Sequence, residues 1–509
     1  MVAETDARAG IISSGKAHQL PVGNVVTTFL SEGALRRIGS AVQLPRYDRG
    51  ATRISVVHFG PGAFHRVHQA CYLDDLLHQD PGWGICGVSL KTSGVRDALS
   101  PQDRLYTLAV LDEESSFRVI GAIRELLVAT ENPSAVFARL CAPEIRLVTS
   151  TVTEKGYCLA ADGSLDQLHP DIQHDLGTPG VPVSVIGYLV EGLRRRREAK
   201  LAPFTVVCCD NLADNGGRLR RAVTQLAGAR SPDLAAWIEA EVAFPRTMVD
   251  SITPATDDAL RARVRGALGV EDRWPVQREA YVQWVIEQDP RSCAPELRPV
   301  GVIVTNDVAA YERAKLRVLN GAHSSLAYLG TLAGHQTVAE AMTDPDLVRF
   351  VQTMMVEDVL PTLTAPRELD LRQYVDAVLR RFRNRAIRHP LAQIAWDGSQ
   401  KLPFRLFGTI RDALTTGRPI DRLCIPIAAW MHFVRQRALK GERVVDPLAE
   451  KLFEIGRETE GHAVVDLRRF FEIESVFPPD LIAEPRFVAA LSKAYDGLSR
   501  TSFSTAALT

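Results

Sequence analysis

A glycine-containing turn between a strand and a helix constrains the fold of this chain more than any other feature. Residues 53–59 form an apolar, β-branched run typical of a buried strand, and they lead directly into a Gly60-x-Gly62 turn. A helical pattern and a second apolar run, residues 84–90, then complete a βαβ unit. Gly60 would permit a tight turn, and Gly62 would let a phosphate approach the backbone where the helix begins. Because the third small residue of the usual fingerprint is absent, the motif alone fits a dinucleotide site and a plain strand-to-helix turn equally well.

The residues after the second strand bear on which dinucleotide would bind. An acidic side chain at this place normally holds the ribose 2′-hydroxyl of NAD. This chain has Lys91-Thr92-Ser93 there, and Arg96 is close by. Because positive side chains accept a 2′-phosphate, NADP stays open beside NAD, which is the expected cofactor.

Strand and helix patterns alternate to about residue 305. A helical pattern at 184–200, for example, is followed by a strand-like run at 204–209. Such alternation predicts an α/β fold with a Rossmann-like, doubly wound domain over residues 1–305, of which residues 1–23 are expected to be flexible. Helical patterns dominate residues 306–509, so we expect a second, mainly α-helical domain.

Two polar stretches lie where a ligand would reach them. Asp210 and Asn211 follow the run at 204–209, and an open α/β sheet binds its ligand beyond the carboxyl ends of its strands. Residues 396–403 carry turn chemistry and are expected to form a loop between helices. Lys401 in that loop is either a surface charge or a substrate contact.

A polar stretch in the second domain contains Glu312, Lys315, Asn320 and His323 among apolar neighbours. In an α-helix these four side chains would fall within an arc of roughly 140°. The Asn320-Gly321 pair is expected to bend or end that helix. A buried lysine is costly unless it is paired or used in chemistry. The pattern alone nevertheless favours an amphipathic core helix with a snorkelling Lys315 over a catalytic face.

Charge, hydropathy and cysteine usage exclude several classes of function. The formal net charge of −1 gives no bulk attraction to nucleic acid or to a membrane surface. No apolar run is long enough to span a bilayer, and residues 1–18 lack the apolar core of a signal peptide. The eight cysteines form no Cys-x2-Cys pair, so we expect a reduced, cytoplasmic protein without structural zinc. The cluster at 194–197, four arginines, is either a polyanion site or, as we expect, a solvated helix C-terminus.

Six short motifs occur along the chain, and each alone is only moderately specific. They are Gly60-x-Gly62-x-Phe64-His65-Arg66, Thr153-Glu154-Lys155-Gly156-Tyr157-Cys158, Cys209-Asp210-Asn211-x3-Asn215-Gly216, Phe244-Pro245 with Met248-Val249-Asp250, Lys315-x4-Asn320-Gly321-x-His323, and Asp397-Gly398-Ser399-x-Lys401-x-Pro403. In this order and spacing the chain, from about residue 50 to the C-terminus, resembles the polyol-specific long-chain dehydrogenases, the mannitol 2-dehydrogenase family. The resemblance implies oxidation of a secondary alcohol without a metal, with hydride passing to a nicotinamide.

The resemblance also implies roles for individual residues. The catalytic set would be Lys315 as general base, Asn211 and Asn320 as amide donors to the developing alkoxide, His323 as the group that orients the substrate hydroxyls, and Glu312 as the proton relay to solvent. The cofactor-binding set would be Gly60, Gly62, Phe64, Arg66 and Glu154. The substrate-binding set would be Lys401, Asp250 and Lys155. Because Asn211 belongs to the first domain and Lys315 to the second, the site is expected in the cleft between them.

The family spans several substrates, and the sequence ranks them without deciding. Oxidation of D-mannitol to D-fructose is expected first, because polyol oxidation is the family's central activity. The alternative is the interconversion of D-fructuronate and D-mannonate, followed by D-arabinitol and sorbitol. Lys155 and Gln393 favour the sugar-acid branch, since the mannitol enzymes carry glycine and arginine at these places and a cation such as Lys155 would answer a carboxylate.

A protein that binds a nucleotide without catalysis is the alternative from another class. The intact set of Lys315, Asn320, His323 and Asn211 argues against it. The resemblance implies a monomer or weak dimer with a small-molecule substrate, and the near-neutral charge argues against a nucleic-acid partner.

Overall fold

The computed structural model of the chain describes residues 28–366, 368–499 and 505. The segment 1–23, expected to be flexible, lies outside the described residues. The named strands all lie before residue 306, and the described residues after it are built mainly from helices. This division into an α/β part and a helical part is the one that the sequence predicts.

Within the described residues the strands form three sheets. In chain order they are β1 (Val42–Gln43), β2 (Ile54–Phe59), β3 (Gly84–Ser89), β4 (Tyr106–Leu111), β5 (Ser116–Ile120), β6 (Ile123–Val128), β7 (Leu147–Ser150), β8 (Thr205–Cys208), β9 (Thr247–Asp250), β10 (Val276–Glu279), β11 (Gln283–Glu287) and β12 (Ile303–Thr305). The largest sheet is parallel, in the order β6-β3-β2-β7-β8. Counted among themselves these strands run 3-2-1-4-5, the arrangement of a Rossmann-like domain. The predicted βαβ unit and fold class are therefore confirmed.

The α-helices of the described residues are more numerous after the last strand than before it. In chain order they are α1 (Ala63–Val67), α2 (Gln69–Leu76), α3 (Gly94–Leu99), α4 (Pro133–Leu140), α5 (Pro170–Gly177), α6 (Val185–Glu198), α7 (Asn215–Arg230), α8 (Pro232–Glu241), α9 (Asp258–Leu268), α10 (Val308–Ala314), α11 (Gly321–Leu332), α12 (Val338–Ala341), α13 (Pro345–Thr353), α14 (Leu371–Arg383), α15 (Leu391–Ile394), α16 (Gly398–Leu402), α17 (Gly408–Thr415), α18 (Asp421–Leu439), α19 (Ala449–Glu458), α20 (Ala463–Phe471), α21 (Pro479–Ile482) and α22 (Pro485–Ser499). Short 3-10 turns lie at Glu32–Arg37, Arg49–Ala51, Ser100–Gln102, Glu154–Tyr157, Arg298–Val300 and Leu360–Thr362. Among the described helices, none combines the length and apolar character that a bilayer span requires.

The parallel sheet is buried on both faces, which explains its nearly continuous apolar strands. Successive side chains of a strand point to opposite faces. Val57 and Phe59 of β2 pack in one core with residues of α6 and α7. Val56 packs in a second core with residues of α2. The strands are therefore fixed from both sides, and their carboxyl ends form a rigid edge.

The strand order reverses between β2 and β7, and ligands of doubly wound sheets bind in the crevice at such a switch point. The Gly60-x-Gly62 turn follows β2, and residues 151–153 follow β7. Asp210 and Asn211 come after the neighbouring strand β8. The topology thus brings three of the predicted motifs to one end of the sheet.

Three π-helical segments, at Lys315–Asn320, Met354–Val359 and Pro403–Phe407, widen helices of the second domain. The first joins α10 to α11, and Gly321 keeps helical dihedrals (φ −62°, ψ −49°). The expected bend or end at Asn320-Gly321 is therefore wrong, because the helix continues through a wider turn. The loop expected at 396–403 is also shorter than predicted: after a left-handed Asp397 (φ 54°) the chain becomes helical at once.

The four arginines at 194–197 form ion pairs or hydrogen bonds with other residues of the first domain. Arg194 and Arg195 both form ion pairs with Glu191. Arg196 is buried and donates hydrogen bonds to the carbonyl oxygens of three surrounding residues. The expectation of a solvated helix end is therefore wrong for Arg196, whose guanidinium satisfies backbone carbonyls.

Candidate active site

The two glycines of the turn after β2 differ in their surroundings. Gly60 has φ +86°, and a Cβ there would lie 2.2 Å from the carbonyl oxygen of Thr151. A Cβ on Gly62 would meet only the carbonyl oxygen of Gly60, at 3.9 Å. Gly60 therefore lets the turns after β2 and β7 touch across the switch point, and Gly62 leaves open space above the start of α1. These residues fit a dinucleotide pyrophosphate.

Phe64 and Arg66 follow that turn but have different surroundings. Phe64 is half-buried and stacks on His68, with ring centroids 5.0 Å apart. Arg66 is fully buried, and its Nη1 donates to the carbonyl oxygen of Trp274 at 2.7 Å. The predicted contact of Arg66 with the cofactor does not fit this inward position, where the guanidinium instead ties α1 to the segment before β10. A cofactor contact of Phe64 stays a prediction.

Asp210 holds the turn after β7. Its carboxylate accepts two backbone N–H groups of that turn, at 2.9 and 3.3 Å, and the hydroxyl of Tyr157 at 2.7 Å. Burial raises the pKa of Asp210, and these hydrogen bonds oppose the rise. Glu154 and Lys155 lie exposed on the 3-10 turn that follows, so their predicted cofactor and substrate contacts stay predictions.

Lys315 joins the two domains at the site. Its Nζ donates to Oδ1 of Asn211 at 2.7 Å and to the carbonyl oxygen of Val249 at 2.6 Å. Val249 is available because β9 is an edge strand of its sheet. Because Nζ donates to the amide oxygen of Asn211, the Nδ2 hydrogens of Asn211 point elsewhere. Lys315 of the second domain and Asn211 of the first therefore meet between the two domains, where the site is expected.

The surroundings of Lys315 favour its neutral form. Burial lowers the pKa of the amine, and the positive charges of Arg381 and Arg405 lower it further. The carboxylates of Asp250 and Glu312 oppose these effects without cancelling them. A neutral amine has two N–H bonds and one lone pair, so both hydrogens find the acceptors described above and the lone pair is left for a substrate proton.

The π-helical segment brings Asn320 to the same side as Lys315. A π turn closes its hydrogen bonds over five residues, so residues five apart lie nearly above one another. Lys315 and Asn320 are the two ends of this segment. In a continuous α-helix they would instead be separated by roughly 140°. The wider turn therefore brings the two positions closer in angle than an α-helix would, and the role of Asn320 as an amide donor stays a prediction.

Glu312 lies one turn before Lys315 and is half-buried. Burial raises its pKa to about 7. The backbone N–H of Asp214 and the charges of Arg246 and Lys315 oppose the rise, while the Asp214 carboxylate adds to it. A carboxyl that titrates near neutrality is suited to passing protons.

The other side of the site carries His323, Lys401 and Arg405. His323 is buried, stacks on Phe382 with centroids 4.7 Å apart, and has no hydrogen-bond partner for Nε2. Burial and the positive charge of Arg405 lower the pKa of both His323 and Lys401. A His323 of lowered pKa with an unpartnered ring nitrogen is suited to bind a substrate hydroxyl.

Arg405 itself is held by Ser324, whose hydroxyl lies 3.0 Å from Nη1. Among the residues that the structure describes, it forms no ion pair. The sequence motif ends two residues before Arg405, so sequence reasoning missed it.

Asp250 is close to Lys315 but directs its oxygens elsewhere. Both accept hydrogen bonds from the Arg381 guanidinium, at 2.8 and 2.9 Å, and Arg381 also binds Glu279. Burial alone would raise the pKa of Asp250, but Arg381 and Lys315 hold it below its ordinary value. Each carboxylate oxygen can still accept a further hydrogen bond, so the predicted substrate contact of Asp250 stays a prediction. The arginine is a further residue that sequence reasoning missed, since it lies in an unremarkable amphipathic helix.

A Rossmann-like domain whose cleft holds a lysine of lowered pKa, hydrogen-bonded to the Asn211 amide, is typical of a nicotinamide-dependent oxidoreductase. Comparison with known proteins agrees. Residues 54–298 match the mannitol dehydrogenase Rossmann domain, and residues 307–499 match the mannitol dehydrogenase C-terminal domain. The chain therefore belongs to the mannitol dehydrogenase family, oxidoreductases that act on secondary alcohols of polyols.

Individual relatives are similar over almost their whole length. The D-mannonate oxidoreductase of Escherichia coli is 40% identical over 466 residues, 90% of this chain and 96% of that protein. The mannitol 2-dehydrogenase of Aspergillus fumigatus is 39% identical over 476 residues, 91% of this chain and 94% of that protein. The structure of Pseudomonas fluorescens mannitol 2-dehydrogenase with NAD and D-mannitol has a TM-score of 0.81 and 37% identity, covering 94% of this chain and 98% of that one. Relatives of nearly equal similarity thus differ in substrate.

Proposed function

We propose that this protein catalyses the NAD-dependent oxidation of a secondary alcohol of an open-chain polyol to a ketose, with D-mannitol to D-fructose as the first candidate. The observation that carries the proposal is the geometry of Lys315. Its two hydrogen-bond acceptors and its lowered pKa support a neutral amine whose lone pair faces the cleft. The similarity to an enzyme that binds NAD and D-mannitol supports the same reaction.

Lys315 would take the proton of the reacting hydroxyl. Bound NAD supplies the hydride acceptor, so the alcohol carbon loses a hydride and its oxygen loses a proton. The Nδ2 group of Asn211 and the side-chain amide of Asn320 would donate to the oxygen while its negative charge develops. No metal is needed for these steps, because the amides and the lysinium formed on proton transfer stabilise the negative charge on the oxygen.

Glu312 gives the reaction a pH dependence that can be tested. With its pKa near 7, Glu312 is neutral in acid and ionised in alkali, so only above about pH 7 can it accept the proton that Lys315 has taken. We expect the rate of oxidation to rise through pH 7 in the unaltered protein and this inflection to vanish in Glu312→Gln. Ionised Glu312 also raises the pKa of Lys315. In Glu312→Gln, the part of the rate profile that reports loss of the Lys315 proton should therefore move to lower pH. Rates measured across pH at saturating substrate check this, and an unchanged profile would exclude the relay.

The sugar-acid reaction, D-mannonate with D-fructuronate, is the second candidate. It is favoured by the positive charge on one side of the cleft: Arg405 has no carboxylate partner among the described residues, and Lys401 lies near it. An exposed Lys155 adds a third cation on the turn after β7. A substrate carboxylate would be drawn to these groups, whereas a neutral polyol gains only hydrogen bonds.

Steady-state kinetics on both substrates separates these candidates. With the full chain and each cofactor, we expect kcat/KM for D-mannitol to exceed that for D-mannonate. A preference for D-mannonate by an order of magnitude or more would replace the first candidate with the second. In that case Lys401→Met should raise KM for D-mannonate and change KM for D-mannitol less.

The same steady-state kinetics, measured with NAD and with NADP, test the cofactor preference. Arg96 forms ion pairs with Asp97 and Glu131, so it is partly neutralised and less free to bind a 2′-phosphate. This supports NAD over NADP.

The eight free cysteines support a reducing, cytoplasmic location. We further propose a monomer or weak dimer that binds neither nucleic acid nor membrane.

A further inference from the structure

One cluster of potential metal ligands lies apart from the residues described above. The Sγ of Cys158, a ring nitrogen of His169 and a carboxylate oxygen of Asp171 all lie within 4.8 Å of one another. Cys158 is buried, and the other two are half-buried at the surface. The sequence predicted no structural zinc because it has no Cys-x2-Cys pair, but the fold brings a single cysteine to a histidine and a carboxylate.

The backbone holds these residues in place before any ligand arrives. The N–H of Asp166 donates to the carbonyl oxygen of Cys158 at 2.9 Å, and Leu159 and Leu165 form an isolated antiparallel bridge. The N–H of His169 donates to the carbonyl oxygen of Asp166 at 3.1 Å. The loop from Cys158 to α5 is therefore closed on itself, with its two ends side by side.

The electrostatic surroundings favour a cation. The carboxylates of Asp171, Asp175 and Asp166 surround the Cys158 thiol and act on it with negative charge. Lys91 is the opposing charge, with its Nζ 3.7 Å from Asp171. Lys91 is 71% exposed, so a divalent cation can displace this ion pair at little cost.

We propose that Cys158, His169 and Asp171 bind a Zn²⁺ ion with a water as fourth ligand, and that the ion clips this loop to the start of α5. Thiolate, imidazole and carboxylate together are a donor set that Zn²⁺ prefers. Zinc–ligand bonds of about 2.0–2.3 Å require the three atoms to close by about 1 Å, which side-chain rotation supplies. The Nδ1 of His169 accepts the N–H of Asp171 at 3.2 Å, so the metal either replaces this hydrogen bond or binds Nε2 after a change of tautomer.

The bound ion would lie near the cofactor cleft but would take no part in the oxidation. Cys158 directly follows the 3-10 turn Glu154–Tyr157, which Asp210 holds at the end of β7. Zn²⁺ binding displaces the thiol proton, and the proton passes to solvent, so affinity rises with pH. Occupation of Asp171 also frees Lys91, which stands just beyond β3.

The test uses the full chain, stripped of metal with a chelator and titrated with Co²⁺ as a spectroscopic substitute for Zn²⁺. We expect a sulfur-to-cobalt charge-transfer band in the near ultraviolet that saturates at one Co²⁺ per chain and is lost when Zn²⁺ is added. The band should be absent in Cys158→Ser and retained in Cys293→Ser, the control, which removes a half-buried thiol outside the cluster. His169→Gln and Asp171→Asn should weaken binding by about tenfold or more, since even outer-shell losses cost that much.

Three outcomes would overturn the proposal. They are a band that persists in Cys158→Ser, no saturating band in the unaltered protein, and unchanged affinity in both His169→Gln and Asp171→Asn. Circular dichroism of each variant checks that it is folded. If Cys158→Ser does not fold, the other two variants still decide the outcome, because neither removes a buried side chain.

Discussion

Replacing Lys315 with methionine is expected to lower kcat for polyol oxidation by a factor of about 10³, within the range that a positioned general base supplies. Methionine keeps most of the length of the side chain, so the loss reflects the amine and not a cavity. The lone pair that would take the hydroxyl proton is gone, and Asn211 loses the donor that orients its amide. NAD affinity should change little, because the glycine turn after β2 lies on the other side of the switch point.

Pre-steady-state and steady-state rates at saturating substrate measure the first effect, and quenching of protein fluorescence by NAD measures the second. Arg313→Met is the control, since Arg313 is an exposed cation two residues away on the same helix. Partial recovery of the Lys315 variant by added alkylamines would identify the missing group as a base. Activity within a few fold of the unaltered protein would remove Lys315 from the mechanism.

The first domain was predictable because its signals are local. Strands buried on both faces are continuous apolar runs, and the glycine turn follows directly from the strand that it ends. The sequence marks Gly60 as a turn glycine, but the contact that requires a glycine there comes from Thr151, in the turn after β7 and 91 residues later in the chain. Sequence therefore located the turn without revealing what it touches.

The site was predictable only in part, for a different reason. Lys315, Asn320 and His323 were singled out by their spacing and by resemblance, but the π turn that joins Lys315 to Asn320 was missed, because it leaves no signature in composition. Long-range charge pairs were missed altogether. Arg66 was assigned to the cofactor, whereas its guanidinium binds the carbonyl oxygen of Trp274, far along the chain in the same domain. The Arg381 partner of Asp250 lies in the other domain. Neither partner is marked by a local pattern.

Arg381→Met is expected to have the largest effect on stability. Arg381 is 4% exposed and bridges the domains, since it lies on α14 and binds Asp250 of β9 and Glu279 of β10. Removing one partner of a buried ion pair leaves uncompensated charge and typically costs about 3–5 kcal/mol. Here two buried carboxylates lose their shared cation. The midpoint of thermal or urea unfolding should therefore fall strongly, and Arg380→Met, which alters an exposed neighbour on the same helix, should leave it nearly unchanged.

The same variant separates a structural role from an effect on catalysis. Arg381 lowers the pKa of Lys315, and Asp250 raises it. Without Arg381, the charge of Asp250 acts on Lys315 unopposed, so the amine stays protonated to higher pH and the alkaline rise of the oxidation rate should shift upward. In Arg381→Met/Asp250→Asn both charges are gone, and the shift should largely reverse even though the fold stays weakened. An unfolding midpoint that falls with no change in the pH profile would make Arg381 a purely structural link between the domains. A shift that the second substitution reverses would instead place it among the residues that set the basicity of Lys315.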